Sequence, residues 1–144
     1  MKKAFYPIAW FTIFSTMIII FIIAYWLIAP YEVLTFYGNN TELVETTVEN
    51  TVKSGEYLPV RENYCKNMAF PSTVSRTFID GISYQIPVFI SNRPVGCKES
   101  IEYIYIPKAI PPGKYRIETV YSFQVNPLRT VHFTLTTDLF TIIK

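Results

Sequence analysis

Few residues in this chain are able to do chemistry, and they are scattered. Histidine occurs once, at His132, and cysteine twice, at Cys65 and Cys97. A structural zinc site takes four such ligands, so these three residues fall short of one. Alternation puts His132 on the outward face of a late strand, with no carboxylate at a fixed offset to orient it. No Gly-x-Ser-x-Gly elbow supports a serine–histidine–aspartate set. The five glycines form no phosphate-cradling loop. Glycoside hydrolysis needs two carboxylates flanking a bond, and nothing in the linear pattern selects a pair. Asp80 and Asp138 fall at a turn and beside a bulge, where structure alone explains them. Enzymatic activity, bound metal and cofactors are therefore not expected.

The chemistry that remains is oxidation of the two thiols. An even cysteine count in an exported segment reads as one disulfide, Cys65–Cys97. In the chain-entropy model, closing a loop of about 30 residues stabilises the fold by about 3–4 kcal/mol. Two free thiols in a reducing compartment are the alternative.

Which compartment applies depends on the run from Ile8 to Ala29. It carries no charge, and its only polar side chains are Thr12, Ser15, Thr16 and Tyr25. As a helix, roughly 22 residues span about 33 Å, close to the hydrocarbon thickness of a bilayer. Lipid offers the backbone no partners, so a single run of this kind must be helical to cross. Tyr6 and Trp10 at one end, and Tyr25, Trp26 and Tyr31 at the other, suit the two interfaces. Pro30 stops the helix. Lys2 and Lys3 are the only charges before the run, so the positive-inside bias keeps a short stub in the cytoplasm and exports the rest. A cleaved signal peptide is the rival. Against it, the stretch is long, and bulky Tyr25, Trp26 and Leu27 stand where small residues should precede a cleavage site. A buried core helix would need a large domain to cover it. The expected organisation is a cytoplasmic stub (1–7), a transmembrane helix (8–29) and an extracytoplasmic domain (30–144), periplasmic or external.

The formal net charge is +2, from 13 basic and 11 acidic residues. Setting aside Lys2 and Lys3 leaves the exported part neutral, which argues against nucleic acid as a partner. Six of the acidic residues lie between Glu32 and Glu62, whereas the later part is mostly basic. Oppositely charged faces of this kind either lie against each other within one domain or help copies and partners dock.

Short apolar runs between turn residues are the signature of a sandwich or barrel. Tyr31–Tyr37 is a strand or an extended stalk, Gly38-Asn39-Asn40 a turn, and Thr41–Val52 one or two weak strands. Glu56–Cys65 and Thr73–Ile79 read as strands, with Asp80-Gly81 turning into Ile82–Ile90. In that arm Ile82, Tyr84, Ile86, Val88 and Ile90 share one face, and Pro87 marks an edge or bulge. Ser91–Lys98 reads as a loop. Ile101–Ile106 is apolar on both faces, which predicts a central strand or one covered by a partner. Lys114–Val125 and Thr130–Thr136 alternate cleanly around Asn126-Pro127-Leu128-Arg129. A bulge at Thr137-Asp138 leads to a last short strand, Leu139–Ile143.

Seven to nine antiparallel strands in this length fit an immunoglobulin-like β-sandwich, so the fold class is mainly β behind one transmembrane helix. The lead Pro112-Gly113-Lys114-Tyr115 resembles the corner opening the penultimate strand of such domains. Cys65 and Cys97 do not fall on the strands that carry the usual inter-sheet bridge, and Cys97 precedes its strand. Most of the eleven tyrosines and eleven phenylalanines are core. Tyr64 and Phe70 are the candidates for contacting a partner. Asn39-Asn40-Thr41 fits the N-glycosylation triplet.

Pro112-Gly113-Lys114-Tyr115-Arg116, Val125-Asn126-Pro127-Leu128-Arg129 and Phe140-Thr141-Ile142 resemble small uncharacterised single-pass membrane proteins of bacterial viruses. That resemblance implies a virion component or a protein of the infected cell's envelope, and it transfers no site residues. The expected function is a membrane-anchored structural or interaction protein, with the lipid bilayer and protein partners, or further copies of itself, around it. A receptor-like module for glycan or a host envelope protein is the alternative, and no small-molecule ligand is expected.

Overall fold

The computed structural model of the chain describes residues 5–37, 50–80 and 82–144, with the backbone alone at 5–8. Helix α1 (Phe5–Ile28) opens it. Across its 20-residue apolar stretch, Ala9–Ile28, the mean hydropathy is 2.4 and no part is buried. It therefore has the length and composition to cross a membrane, properties it shares with signal sequences. Its serine and threonine hydroxyls are satisfied within the helix. Thr12 donates to the Ala9 carbonyl (2.8 Å), and Ser15 and Thr16 donate to that of Thr12 (3.0 and 2.8 Å). The last helical hydrogen bond runs from Ala29 N to Tyr25 O (2.8 Å), and Pro30 prevents the next.

Among the described residues the remainder forms nine strands: β1 (Leu34–Phe36), β2 (Thr51–Lys53), β3 (Tyr57–Lys66), β4 (Ser72–Ile79), β5 (Tyr84–Ser91), β6 (Gly96–Tyr105), β7 (Gly113–Asn126), β8 (Arg129–Thr136) and β9 (Phe140–Ile143). One sheet has the order β1-β3-β6; the other has the order β2-β9-β7-β4-β5, with β8 also on β7. The long strand β7 is the axle of the second sheet. One edge pairs with β4, and the other is shared by β9 near Gly113–Tyr115 and β8 from Glu118 onward. The break expected at Thr137-Asp138 lets one chain segment serve both stretches of that edge.

The core follows from period-two alternation in the long strands. Leu58 and Val60 of β3, Phe78 of β4, Ile104 of β6 and Ile117 of β7 meet in one cluster. Tyr64, Val74, Tyr121 and Phe123 meet Val33 and Leu34 in a second. Both clusters draw on both sheets. The second lies at the helix end of the domain, because Asn67 N donates to Val33 O (2.9 Å) just beyond the linker. Tyr31–Tyr37 is thus no stalk: Val33 is 0% exposed, and β1 pairs with β3.

Several expectations need correction. The sheets are not wholly antiparallel, since β2 runs parallel to β9. A strand reached by a long connection is free of the hairpin constraint that enforces antiparallel pairing. The β4–β5 connection is longer than a two-residue turn, because pairing begins at Phe78 and Tyr84. Asp80 does take a positive φ of 72°, while Gly81 lies outside the described residues. The five residues from Ile82 to Ile90 do not share a face. A register shift opposite Val74–Arg76 re-aims the arm, so Tyr84 and Ile86 pack inward while Val88 and Ile90 are exposed. Pro87 sits on this edge strand, as its missing N–H demands.

Strand β6 begins at Gly96, not Ile101, which places Cys97 within it. Cys97 stands directly opposite Cys65 on β3, and the two form a disulfide inside one sheet. Among the described residues β6 pairs with β3 alone, so it is not central, and Ile101, Tyr103 and Tyr105 are exposed on its outer face. The turn at Gly38–Asn40, the Asn39–Thr41 triplet and most of the weak-strand segment lie outside the described residues.

Candidate functional site

Between the two apolar clusters lies a layer of charge. Alternation sends Glu62 inward from β3 between Val60 and Tyr64, and Arg76 inward from β4 between Val74 and Phe78. Glu102 enters from β6, Tyr121 from β7, and Arg93 from the loop joining β5 to β6. Arg93 Nη2 lies 2.5 Å from Glu62 Oε2 and 2.8 Å from Glu102 Oε2, and Arg76 Nη2 lies 2.5 Å from Glu102 Oε1. The Tyr121 hydroxyl donates to Glu62 (2.9 Å) and accepts from Arg93 Nη2 (2.9 Å). The Arg93 guanidinium also lies over the rings of Tyr64 (4.8 Å) and Tyr121 (4.9 Å). Two carboxylates and two guanidiniums make the layer formally neutral, and it ties one sheet to the other.

Burial dominates its electrostatics. Glu62 is 1% exposed. Desolvation raises its pKa above the ordinary 4.5, and the attraction of Arg93 only partly offsets that. Desolvation, followed by the charge of Glu62, likewise pushes the Tyr121 hydroxyl up. Lys66 ends the same inward row of β3. It donates to the Arg93 carbonyl (2.7 Å), and desolvation, then the charge of Arg93, lowers its pKa. These groups are engaged with one another through ion pairs and hydrogen bonds. Chemically the arrangement is a clamp. A groove of about 620 Å³ lies elsewhere, lined by residues including Glu56, Tyr57 and Tyr103. Among the described residues no group of three or more His, Cys, Asp or Glu is placed to hold a metal.

A second constellation joins the domain to the helix. The last carbonyls of a helix have no partners within it, and α1 has no basic residue in its last turn. The β7–β8 turn supplies the donors. Asn126 Nδ2 donates to Trp26 O (3.0 Å), and Arg129 Nη1 donates to Leu27 O (3.0 Å) and Ala29 O (2.7 Å). Arg129 also lies 5.6 Å from the centre of the Tyr31 ring. The Asn126 side-chain oxygen accepts from Leu128 N (2.9 Å), which holds the turn in shape. A cation at the negative end of the helix dipole is favourable as well. The chain matches no family model and no curated protein.

The residues singled out from sequence are distributed as follows. Trp10, Tyr25 and Trp26 are exposed on α1, while Tyr31 is half-buried beneath Arg129. Tyr6 has its backbone in α1, and its side chain lies outside the described part. Tyr64 is buried in β3 against Arg93, and Phe70 is half-buried against the same cluster. His132 pairs with Ser122 Oγ (2.8 Å) on the strand beside it. Sequence reasoning missed the charged layer. Its one local signal was a charge at an inward position of a period-two row, at Glu62 and Arg76. The joint left no local signal, since Arg129 acts on carbonyls about a hundred residues away.

Proposed function

We propose that this chain is a membrane-anchored, non-enzymatic structural or interaction protein. In this reading α1 is an uncleaved anchor, the stub before it is cytoplasmic, and an immunoglobulin-like β-sandwich is held extracytoplasmically at the membrane. The observation that carries it is the joint: residues Asn126 and Arg129 of the domain satisfy terminal carbonyls of an uncharged, mostly apolar helix. A signal sequence is discarded after export, and bonds from the folded domain to its last turn would then serve nothing.

The immunoglobulin-like assignment draws support from two features. The three-stranded and larger sheets pack on each other through both apolar clusters, and the chain crosses between the sheets repeatedly. At the start of β7 the Tyr115 hydroxyl donates to the Pro111 carbonyl (3.0 Å), the tyrosine corner of such domains. Placement in a virion or an infected cell's envelope rests on the resemblance of the C-terminal segments to small membrane proteins of bacterial viruses. Cross-linking the full chain in its native membranes or particles tests the assembly reading. A homo-oligomer or a constant protein partner is expected, and an uncross-linked monomer throughout would reject it.

A receptor-like role has one observation in its favour. Tyr57 and Tyr103 line the groove on the β3–β6 sheet, and Tyr103 is 64% exposed. Exposed aromatic faces of this kind stack on sugars. A glycan array without binding removes that reading.

A further inference from the structure

The domain has two unlike ends, and the joint fixes which one faces the helix. Strand β7 runs from Gly113 at the far end to Asn126 at the joint. The register then carries the near end around the domain: Ser72 of β4 pairs with Phe123 of β7, Ser91 of β5 pairs with Ser72, and Gly96 of β6 pairs with Lys66 of β3. Three connections therefore lie together at the helix end: residues 67–71, residues 92–95 and the Pro127-Leu128 turn.

Their composition differs from that of the opposite end. The three connections contain no Asp or Glu, and their only charged residue, Arg93, turns inward to the buried carboxylates. Beside the uncharged amides of Asn67 and Asn92, what they expose is apolar: Ala69, Pro71, Pro94 and Pro127, with Val95 at 51% and Leu128 at 55%. Among the described residues the linker adds one carboxylate here, that of exposed Glu32, whose backbone carbonyl accepts from Asn67 Nδ2 (3.0 Å). Far-end connections carry Glu56, Asp80 and Lys108 beside exposed Ile82, so the connections present charge at that end and not at this one. The linker is too short to hold the near end away from the helix. Only four residues separate Ile28 from the buried Val33, and Arg129 and Asn126 tie the Pro127-Leu128 turn to carbonyls of the final helical turn.

We propose that this end of the domain is a second membrane contact, with Leu128 and Val95 seated in the interfacial layer of the bilayer that α1 crosses. The inference rests on the anchor reading and adds a lipid-facing surface to it. Trp26 and Leu128 then lie at one height, the indole at the interface and the leucine beside it. Such seating fixes the tilt and height of the domain, so the outer face of β6 is presented at a constant angle to anything beyond the membrane.

The test uses the full chain in phosphatidylcholine–phosphatidylglycerol vesicles, with the disulfide kept oxidised. Single nitroxides are attached at Leu128→Cys, Val95→Cys, Lys108→Cys and Phe14→Cys, and collisions with oxygen and with a water-soluble nickel chelate are measured. Labels at 128 and 95 are expected to favour oxygen over nickel several-fold more than the label at 108. If 128 and 95 match 108 while 14 reports lipid, the contact is refuted and the anchor survives. If 14 reports water too, both fall. All four sites are exposed, so labelling leaves the core intact.

Discussion

Arg93 pairs with both carboxylates of the layer, and among the described residues it is the cation held against buried Glu62, whereas Glu102 also has Arg76. Removing one partner of a buried ion pair costs about 3–5 kcal/mol, because the remaining charge is stranded. Arg93→Met is therefore expected to destabilise the chain by about that much at neutral pH. The sign of the pH effect follows from Glu62, whose folded pKa lies above its ordinary 4.5. A carboxyl of that kind binds more protons folded than unfolded, so it favours the fold increasingly as pH falls through that window and disfavours it as pH rises. Without Arg93 the pKa of Glu62 climbs further, and the deficit of Arg93→Met should shrink between pH 7 and pH 5. Denaturant unfolding in mild detergent measures it, and an equal deficit at both pH values would contradict the clamp. Tyr115→Phe tests the corner at the same scale. Losing its hydrogen bond to Pro111 should cost about 1 kcal/mol with the fold retained.

Elements here are fastened by contacts that their own sequences do not announce. The ladder between β3 and β6 runs through ten residue pairs and carries the disulfide near its helix end. Replacing both cysteines by serine should leave that ladder able to form. The loss should be about 3–4 kcal/mol from the freed loop, with the melting temperature lowered by roughly 10–15 °C. A change within error would place the stabilisation elsewhere. At the joint, Asn126→Ala with Arg129→Ala should loosen the last turn of α1 and the linker while β4 and β7 stay protected. Hydrogen exchange at residues 26–34 reads this directly, and unchanged protection there would show that the side-chain bonds to Trp26, Leu27 and Ala29 are dispensable.

For the whole molecule, the proposed anchor makes a topological prediction. Tags beside Lys2 and Lys144 should be digested from opposite sides of sealed vesicles, and the chain should stay in the membrane after alkaline extraction. Tags cleaved from one side, or a mature chain beginning near Tyr31, would defeat the anchor. The charge asymmetry along the sequence is partly absorbed at this scale. Glu62 from the acidic stretch and Arg76 and Arg93 from the basic remainder meet inside one core, so those charges are withdrawn from any docking surface. Among the described residues of the domain, exposed apolar side chains lie on β6, along β5, at the helix end, and at Tyr37, Tyr57, Ile82, Leu139 and Ile143.

The amino-acid order alone determined the features that depend on near neighbours. An uncharged run longer than twenty residues had to be a helix that no small domain buries. Strict alternation around Asn126–Arg129 produced the β7–β8 hairpin, and Pro-Gly-x-Tyr marked the start of β7. The start of β6 escaped because Gly96-Cys97-Lys98 has the composition of a loop and becomes a strand only when β3 offers ten consecutive partners. The bulge in β5 and the parallel pairing of β2 depend on the strands alongside. Only tertiary structure brought Glu62, Arg76, Arg93 and Glu102 into one layer and set Arg129 on the end of α1. Electrostatic and hydrogen-bond partners are chosen by distance in space, and a linear pattern of period two records which face a side chain takes but not what it meets there.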